Sequence, residues 1–303
     1  MLAAQDQPLR GRRTFRTGIE VTSVTVTVLD ADGRLVHALA RDAFEIFEDG
    51  EPQTVSQFID ERVPVSLGIA LDTSDSMFGI RLVEARAALD RFMFDLLDRN
   101  DEFFVMAFNH APHLLTDWTA DPSVVRPALD GLHPSGATAA YDAIVASLPL
   151  FERRNRPRAA LLVISDGADT ASDATVRDVK NALFRSDAFV YAIAIDAKAS
   201  HAINTRINPQ TLRAITDQSG GRTAVVMTTA DLQDATARIA EELRSQYLLG
   251  YTSTHGADGR FHSIRVRVHG EGFTARARNG YVAGLAPRAG RPAPERTPAQ
   301  PRR

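Results

Sequence analysis

The sequence predicts an α/β fold: a doubly wound, mostly parallel sheet flanked by helices, with a small β-sandwich formed by the N- and C-terminal flanks. Two observations predict this fold. Between residues 62 and 244, continuous apolar segments alternate with segments in which apolar residues recur every three or four positions, which is typical of βα repeats. In the flanks, 18–61 and 245–283, apolar and polar residues alternate with period two, as in half-exposed antiparallel strands.

The α/β part begins with a nearly continuous apolar run at 65–71, which is typical of a strand buried on both faces. The next apolar residues have helical spacing and place one apolar stripe on a helix that covers the sheet: Leu82, Ala85, Leu89, Phe92 and Leu96. The same alternation predicts further strands at 103–108, 159–165, 189–195 and 223–227, and helices at about 139–150, 174–185, 209–218 and 230–244.

Short antiparallel strands are predicted in both flanks. The alternating apolar positions are Val24, Val26 and Val28 in the first flank, and Ile264, Val266 and Val268 in the second. Turn signals follow the first set at Asp32-Gly33 and Asp49-Gly50, and a turn signal at Asp258-Gly259 precedes the second set. Because the ends of a domain tend to lie close together, we expect 18–61 and 245–283 to pair into one β-sandwich from which 62–244 is inserted.

The two chain ends differ in composition from the rest. Residues 284–303 contain five of the 15 prolines and five arginines, a composition that cannot form a core, so we expect a disordered basic tail. Residues 1–17 are expected to be a flexible N-terminus. Two interpretations of residues 1–6 are open: a flexible polar start, or the end of a secretory signal whose earlier part is missing.

Composition excludes several classes of protein. A formal net charge of -3 and a pI near 6.2 give no overall attraction to nucleic acid or to anionic membranes. No stretch approaches the roughly 20 apolar residues that cross a bilayer, so we expect no membrane span. Because the chain has no cysteine, thiolate metal sites and cysteine nucleophiles are excluded, and metal ligands must be oxygen or imidazole.

Polar side chains follow the first buried strand at alternate positions. In an extended backbone, side chains at i, i+2 and i+4 point the same way, so Asp72, Ser74 and Ser76 can converge on one point. Thr73 and Asp75 then point elsewhere. The point of convergence lies at the carboxyl end of a parallel strand, where open α/β sheets bind ligands beside a topological switch.

Two other loops are expected to reach the same place. Thr138 lies just before a predicted helix, and Asp166 lies just after a predicted strand. Together the loops supply carboxylates and hydroxyls, hard oxygen donors that suit Mg²⁺, Mn²⁺ or Ca²⁺ and are poor ligands for zinc or copper. Two carboxylates leave an octahedral ion unsaturated, so an exposed Asp or Glu of a partner protein can replace a water. The sequence therefore predicts a metal-dependent protein-binding module.

Three segments resemble a von Willebrand factor A domain, and specifically its metal-ion-dependent adhesion site: 72–76 (DTSDS), 136–144 (GATAAYDAI) and 164–167 (ISDG). The similarity covers roughly residues 62–244 and implies a Rossmann-like fold. It also implies the metal ligands: Asp72, Ser74 and Ser76 from the first loop, Thr138 from the second, and Asp166 from the third, directly or through water.

The flanks resemble a narrower group, the bacterial A-domain-related proteins best known from Acidobacteria. This similarity rests on segments 28–33, 42–50, 247–251 and 276–281. Members of this group are similar to exported proteins. The resemblance therefore implies a periplasmic, secreted or cell-surface location, and it supports the interpretation of residues 1–6 as the end of a signal.

Two alternative functions are open. A Mg²⁺-dependent hydrolase would use a metal-activated water, with His110, His113 or His133 as its base. We expect no enzyme, because these histidines have no fixed spacing and the sequence contains no phosphate-binding loop or nucleophile elbow. In a structural domain, the metal would only lock the loops together. Asp142 is either a hydrogen-bonding brace for the site or an ordinary solvated helix residue.

Overall fold

The computed structural model of the protein describes residues 21–166, 169–195 and 209–284. The expected flexible N-terminus at 1–17, almost all of the expected tail at 284–303, and Gly167 of the third loop lie outside these residues. Within them, a mixed sheet of mostly parallel strands with helices on both faces confirms the predicted α/β fold. No helix in the described ranges has the length and apolar character that crossing a membrane requires.

The elements alternate along the chain much as the periodicity predicts. In chain order, the strands of the described residues are β1 (Val21–Leu29), β2 (Phe44–Glu48), β3 (Glu51–Gln53), β4 (Val55–Ile59), β5 (Val65–Asp72), β6 (Glu102–Phe108), β7 (Pro112–Thr119), β8 (Arg158–Ser165), β9 (Phe189–Ile195), β10 (Thr223–Val226), β11 (Tyr247–Thr252), β12 (Phe261–Val268), β13 (Thr274–Arg276) and β14 (Gly280–Val282). The α-helices are α1 (Ile80–Arg91), α2 (Arg126–Asp130), α3 (Ala140–Ser147), α4 (Val176–Leu183), α5 (Pro209–Ser219) and α6 (Thr229–Arg244).

The six-stranded sheet has the order β10-β9-β8-β5-β6-β7, and every strand is parallel to its neighbours except the edge strand β7. From β5 the chain passes through α1 to β6 on one side, and it later returns to β8 on the other side. The strand order therefore reverses between β5 and β8. Ligands of open α/β sheets bind outside the carboxyl ends of strands at such a point.

Apolar side chains bury both faces of this sheet. On one face, four residues of the predicted stripe are buried together with residues of α6, and the fifth, Leu96, is partly buried. Helix α1 ends at Arg91, and the stripe continues in a π-helix over Phe92–Leu96. On the other face, α3, α4 and α5 supply the buried side chains. Strand β5 is buried along its whole length, which is why it reads as an uninterrupted apolar run.

Strands of both flanks pair with one another in two four-stranded sheets, of order β13-β1-β11-β4 and β14-β12-β2-β3. Their inner faces form a separate apolar core that includes Val24, Val26, Ile46, Tyr247 and Tyr251. The Asp49-Gly50 turn joins β2 to β3 with positive φ at both residues, 51° and 90°, the conformation that two-residue hairpin turns favour.

Two local differences from the predicted elements have simple causes. The helix predicted at 139–150 ends at Ser147 and continues as a 3-10 helix over Leu148–Arg153, because Pro149 lacks the N–H that an α-helical bond needs. Strand β7 was not predicted. It pairs on one side only and none of its residues is fully buried, so its sequence carries no apolar run or strict alternation.

Candidate metal site

The Asp72 carboxyl group is fixed at the carboxyl end of β5. Its side chain is fully buried. The backbone N–H of Ser74 donates to Oδ1 at 2.8 Å, and the Ser165 hydroxyl, from the end of β8, donates to Oδ2 at 2.5 Å. The two strands that flank the switch point therefore hold this carboxyl group between them.

A chain of close oxygen contacts connects the first loop to the third. The hydroxyls of Ser74 and Ser76 lie 2.9 Å apart, and Ser76 Oγ donates to Asp166 Oδ1 at 2.6 Å. The extended backbone expected through Ser76 ends earlier, because Asp75–Met77 forms a 3-10 turn. Ser76 thus contacts Asp166 from this 3-10 turn. The prediction had instead placed Ser76 in an extended backbone, on the same side as Asp72 and Ser74.

The intervening residues of the first loop point away from this oxygen cluster, as predicted. Thr73 Oγ1 donates to the carbonyl of Phe108 on the neighbouring strand β6, at 3.1 Å. Asp75 is exposed to solvent. The loop therefore separates residues that face the cluster from residues that fix the loop or face water.

Thr138 lies in a loop that is bonded to the first loop through the backbone. Ser135 N donates to the carbonyl of Thr73, and Asp75 N donates to the carbonyl of Gly136, both at 2.9 Å. Thr138 itself is buried, with 5% of its surface exposed. The second loop is thus brought against the first, as the sequence predicts.

The chain that follows Asp166 is bonded to the second loop and to α3. The carbonyl of Thr138 accepts from Thr170 N at 2.8 Å, and the Asp142 carboxylate accepts from the backbone N–H groups of Asp173 and Ala174 at 3.0 and 2.8 Å. These contacts favour the brace over the solvated-residue interpretation of Asp142, because its carboxylate anchors the loop next to the site.

Arg81 is a site residue that the sequence analysis did not identify. Its Nη1 donates to Asp166 Oδ2 and to the carbonyl of Ser76, both at 2.5 Å. Arg81 lies in the first turn of α1, five residues after Ser76, so its proximity to the first loop could be predicted. Its contact with Asp166 could not, since that depends on where the third loop lies.

Burial gives both carboxyl groups an unfavourable environment for their charge. Desolvation raises the pKa of Asp72 to about 6, and the nearby Asp166 adds to this effect. Burial also raises the pKa of Asp166, although hydrogen bonds from Ser76 and the charge of Arg81 oppose the increase. Within the described ranges, no Lys, Arg or His side chain is paired with Asp72.

The donor set fits a hard divalent cation. The side-chain donors of the five predicted ligands are all oxygen atoms, and two of these groups are carboxyls whose ionised form lacks full compensation. A cation between them would favour ionisation of both. Among the histidines, His110 borders the second loop: a Cβ added to Gly136 would lie 3.4 Å from His110 Nδ1.

Solved structures share this fold at low sequence identity. BatB from Bacteroides thetaiotaomicron, described as a conserved hypothetical protein, aligns over 60% of this chain and 100% of its own, with 22% identity and a TM-score of 0.50. A von Willebrand factor type A protein from Catenulispora acidiphila aligns over 88% of this chain and 75% of its own, with 14% identity and a TM-score of 0.52. The PilB minor pilin from Streptococcus sanguinis aligns over 62% and 63%, with 13% identity and a TM-score of 0.50.

The sequence itself gives a family match. No curated protein sequence matches the chain. Residues 67–168, however, match the family model of the von Willebrand factor type A domain. This match begins inside β5 and includes all five predicted ligands of the three loops. The chain therefore contains a von Willebrand factor type A domain.

Proposed function

We propose that this domain binds one divalent cation, Mg²⁺ or else Mn²⁺ or Ca²⁺, and through it captures an exposed Asp or Glu of a partner protein. The proposed ligands are Asp72, Ser74, Ser76, Thr138 and Asp166. The observation that carries the proposal is the continuous chain of hydrogen bonds from Asp72 through Ser74 and Ser76 to Asp166, across the switch point. Domains of this family often act in adhesion or protein interaction.

The residues of the site have separable roles in this proposal. Asp72 and Asp166 supply the negative charge that neutralises the cation, and the hydroxyls supply neutral donors that leave part of its field unquenched. The bound cation supplies an open coordination position for a carboxylate. Asp142 and the Ser74 N–H keep the loops and the Asp72 carboxyl group in position.

An exposed apolar surface lies next to the site and suits a protein partner. Phe78, Ile80 and Val83 follow Ser76 along the first loop and α1, with 79%, 65% and 57% of their surfaces exposed. Exposed apolar side chains beside a polar anchor are typical of interaction surfaces. We infer that the recognised acidic residue is flanked by apolar side chains in the partner.

We further propose that the protein is not an enzyme and acts outside the cytoplasm, in the periplasm, at the cell surface or after secretion. Export is supported by the solved structures of similar fold, which include a minor pilin and an aerotolerance-related membrane protein. The non-catalytic role is supported by the donor set, whose carboxylates and hydroxyls match the capture of a cation.

Isothermal titration with Mg²⁺ and Mn²⁺ tests the metal site. Asp72→Ala removes a ligand, and we expect it to weaken cation binding by at least about 100-fold. Asp75→Ala is the matched control, because Asp75 is an exposed carboxylate of the same loop that does not face the cluster. Equal cation affinity in the two variants contradicts the proposed ligands.

Capture of partners from a cell-envelope extract of the source organism tests recognition through the cation. We expect proteins that bind in Mg²⁺ to be lost in EDTA and with Asp72→Ala. Phe78→Ser should lose these proteins while it retains Mg²⁺ binding. If the same proteins are recovered in Mg²⁺ and in EDTA, the metal does not bridge the partner and serves only to hold the loops. Turnover that Asp72→Ala abolishes would instead indicate a hydrolase.

A further inference from the structure

A second group of metal-ligating side chains lies in the paired flanks. Asp49 is in the β2–β3 turn, His255 is in the loop between β11 and β12, and His262 is on β12. The nearest ligand atoms of the three residues all lie within 4.8 Å of one another. In sequence, Asp49 is more than 200 positions from the two histidines, and no local pattern indicated that the three residues meet.

The two distances to Asp49 lie on either side of the value for a tetrahedral site. His255 Nε2 lies 3.6 Å from Asp49 Oδ2, and His262 Nδ1 lies 2.7 Å from the same oxygen. Zinc–ligand bonds of about 2.0–2.1 Å place two tetrahedral ligands about 3.3 Å apart. The first distance fits, and the second needs a shift of about 0.6 Å, which the Asp49 side chain has room to make because it is 39% exposed.

The second ring nitrogen of His262 is already occupied. Nε2 lies 3.2 Å from Asp258 Oδ1, an arrangement in which the ring donates this N–H to a carboxylate. With the proton on Nε2, Nδ1 presents a lone pair to Asp49 Oδ2, and two such acceptors at 2.7 Å repel unless a cation or a second proton lies between them. Histidine ligands of metals commonly have this second carboxylate contact, which orients the ring.

The backbone holds two of these residues in place. Asp49 N donates to the carbonyl of Ser263, and Asp49 Oδ1 accepts from Ser263 N at 2.8 Å, so the turn is bonded to β12 beside His262. The rings of His255 and His262 are stacked with centroids 4.1 Å apart. His262 is buried, whereas His255 is 38% exposed and leaves the group open to water.

The charge around the group favours a cation. Glu48 is fully buried, and its Oε2 lies 4.0 Å from His255 Nε2. Its carboxylate accepts from the hydroxyls of Tyr251, Tyr281 and Ser253, so it is fixed next to the group. With Asp49 and Asp258, three carboxyl groups surround two imidazoles.

We propose that Asp49, His255 and His262 bind a transition-metal dication of the Zn²⁺ type, with Asp258 orienting His262. Two imidazoles and one carboxylate are the donors that zinc prefers, in contrast to the all-oxygen site at Asp72. Water completes the coordination. The ion would join the β2–β3 turn to the β11–β12 loop and so stabilise the paired flanks.

Zinc titration of the tag-free, chelator-treated full chain, in competition with a chromophoric chelator, tests this site. We expect one zinc ion bound with a dissociation constant on the order of micromolar or tighter, and His255→Gln to weaken it at least about tenfold. His255 is chosen because it is partly exposed, so its replacement should not affect folding. The matched control is His269→Gln, whose side chain is 62% exposed just beyond β12.

Two further results separate this site from the Asp72 site and from a simple ion pair. Asp72→Ala should retain the zinc affinity of the unmodified protein. Co²⁺ should give the visible absorption of a four-coordinate site, and His255→Gln should abolish it. Equal zinc affinity in the His255→Gln and His269→Gln variants, or loss of zinc in Asp72→Ala alone, overturns the proposal. Absence of binding also overturns it and leaves a protonated His262 paired with two carboxylates.

Discussion

At the scale of single residues, Asp72 shows what a buried carboxyl group costs the folded protein. The carboxyl group is fully buried, and desolvation raises its pKa to about 6 although two hydrogen bonds favour its ionised form. At neutral pH the folded protein without metal therefore holds a poorly compensated charge. A cation bound beside Asp72 would remove this cost. Metal binding should therefore increase the free energy of unfolding.

Asp72→Asn should stabilise the metal-free protein at pH 7. The pKa of Asp72 is about 6 in the folded state against an ordinary value of 3.8, so the folded state binds more protons between these values and stability falls as pH rises through them. The full penalty, present above pH 6, is about 3 kcal/mol, and we expect a gain of about 1–3 kcal/mol because the amide loses part of the hydrogen bonding.

Urea unfolding in EDTA at pH 4 and pH 7 measures this gain. It should be present at pH 7 and nearly absent at pH 4, where Asp72 is protonated in the folded state. Asp75→Asn, at an exposed position of the same loop, should change stability by less than about 0.5 kcal/mol at both pH values. A less stable Asp72→Asn protein at pH 7 would show that the ionised carboxyl group is not a cost.

The parts of the site that sequence could predict are those set by local backbone geometry. Asp72 and Ser74 follow one strand, so their common direction depends on strand alternation alone. Ser76 required a 3-10 turn, and the contacts of Ser165 and Arg81 required the position of another strand or loop. No local pattern in the sequence specifies these long-range contacts.

At the scale of elements, β5 is fixed in the sheet by a residue without a side chain. A Cβ added at Gly68 would lie 2.4 Å from Cζ and 2.7 Å from Cε1 of Phe104 on β6, and 3.0 Å from Cδ1 of Leu161 on β8. The Phe104 ring therefore occupies the space above Gly68. This packing fixes the position of β5, the strand that ends in Asp72, relative to β6 and β8.

Gly68→Ala should destabilise the protein by about 1–3 kcal/mol, because the methyl group forces the Phe104 ring to move within a closely packed core. Thermal and urea unfolding measure the loss. Gly131→Ala is the control: its Cβ would meet its nearest neighbour at 3.7 Å, an ordinary contact, so stability should hardly change. Phe104→Leu in the Gly68→Ala background should recover part of the loss, and a purely additive double variant would exclude this clash as the cause.

The same contrast explains which strands could be predicted. Strand β5 is buried on both faces, so burial alone produces the apolar run at 65–71. Strand β7 lies at the sheet edge with none of its residues fully buried, and only its pairing with β6 makes it a strand. Strand propensity and hydrophobic periodicity reflect how residues are buried. They therefore do not predict an edge strand that forms only because it pairs with a neighbouring strand.

At the scale of the whole molecule, a few buried polar side chains connect the α/β part to the paired flanks. Glu242 of α6 forms an ion pair with Arg276 of β13 at 2.5 Å and accepts from the Tyr191 hydroxyl at 2.8 Å. The Val282 N–H donates to the carbonyl of Phe184 at 2.8 Å. These contacts decide whether the two parts, each with a proposed metal site, unfold as one cooperative unit.

Arg158 makes the connection that should matter most for cooperativity. It is 1% exposed at the start of β8, and its guanidinium donates to the carbonyls of Glu61, Leu243 and Gln246. Glu61 and Gln246 lie where the chain enters and leaves the α/β part. Burial lowers the pKa of Arg158 to about 10, so the side chain remains charged at neutral pH.

Arg158→Met should destabilise the protein by about 2–4 kcal/mol, because it keeps the volume but leaves buried carbonyls without their donor. Urea unfolding should be followed by the fluorescence of Trp118, the single tryptophan, which packs on Phe104 in the α/β part, and by far-UV circular dichroism, which reports all strands. We expect the two transitions to coincide in the unmodified protein and to separate in the variant, since the flanks lose their connection at both chain crossings.

Arg153→Met, which breaks an exposed ion pair with Asp117, should cost less than about 1 kcal/mol and leave the transitions coincident. Coincident transitions in Arg158→Met would show that the other contacts, among them the ion pair between Glu242 and Arg276, suffice to couple the two parts.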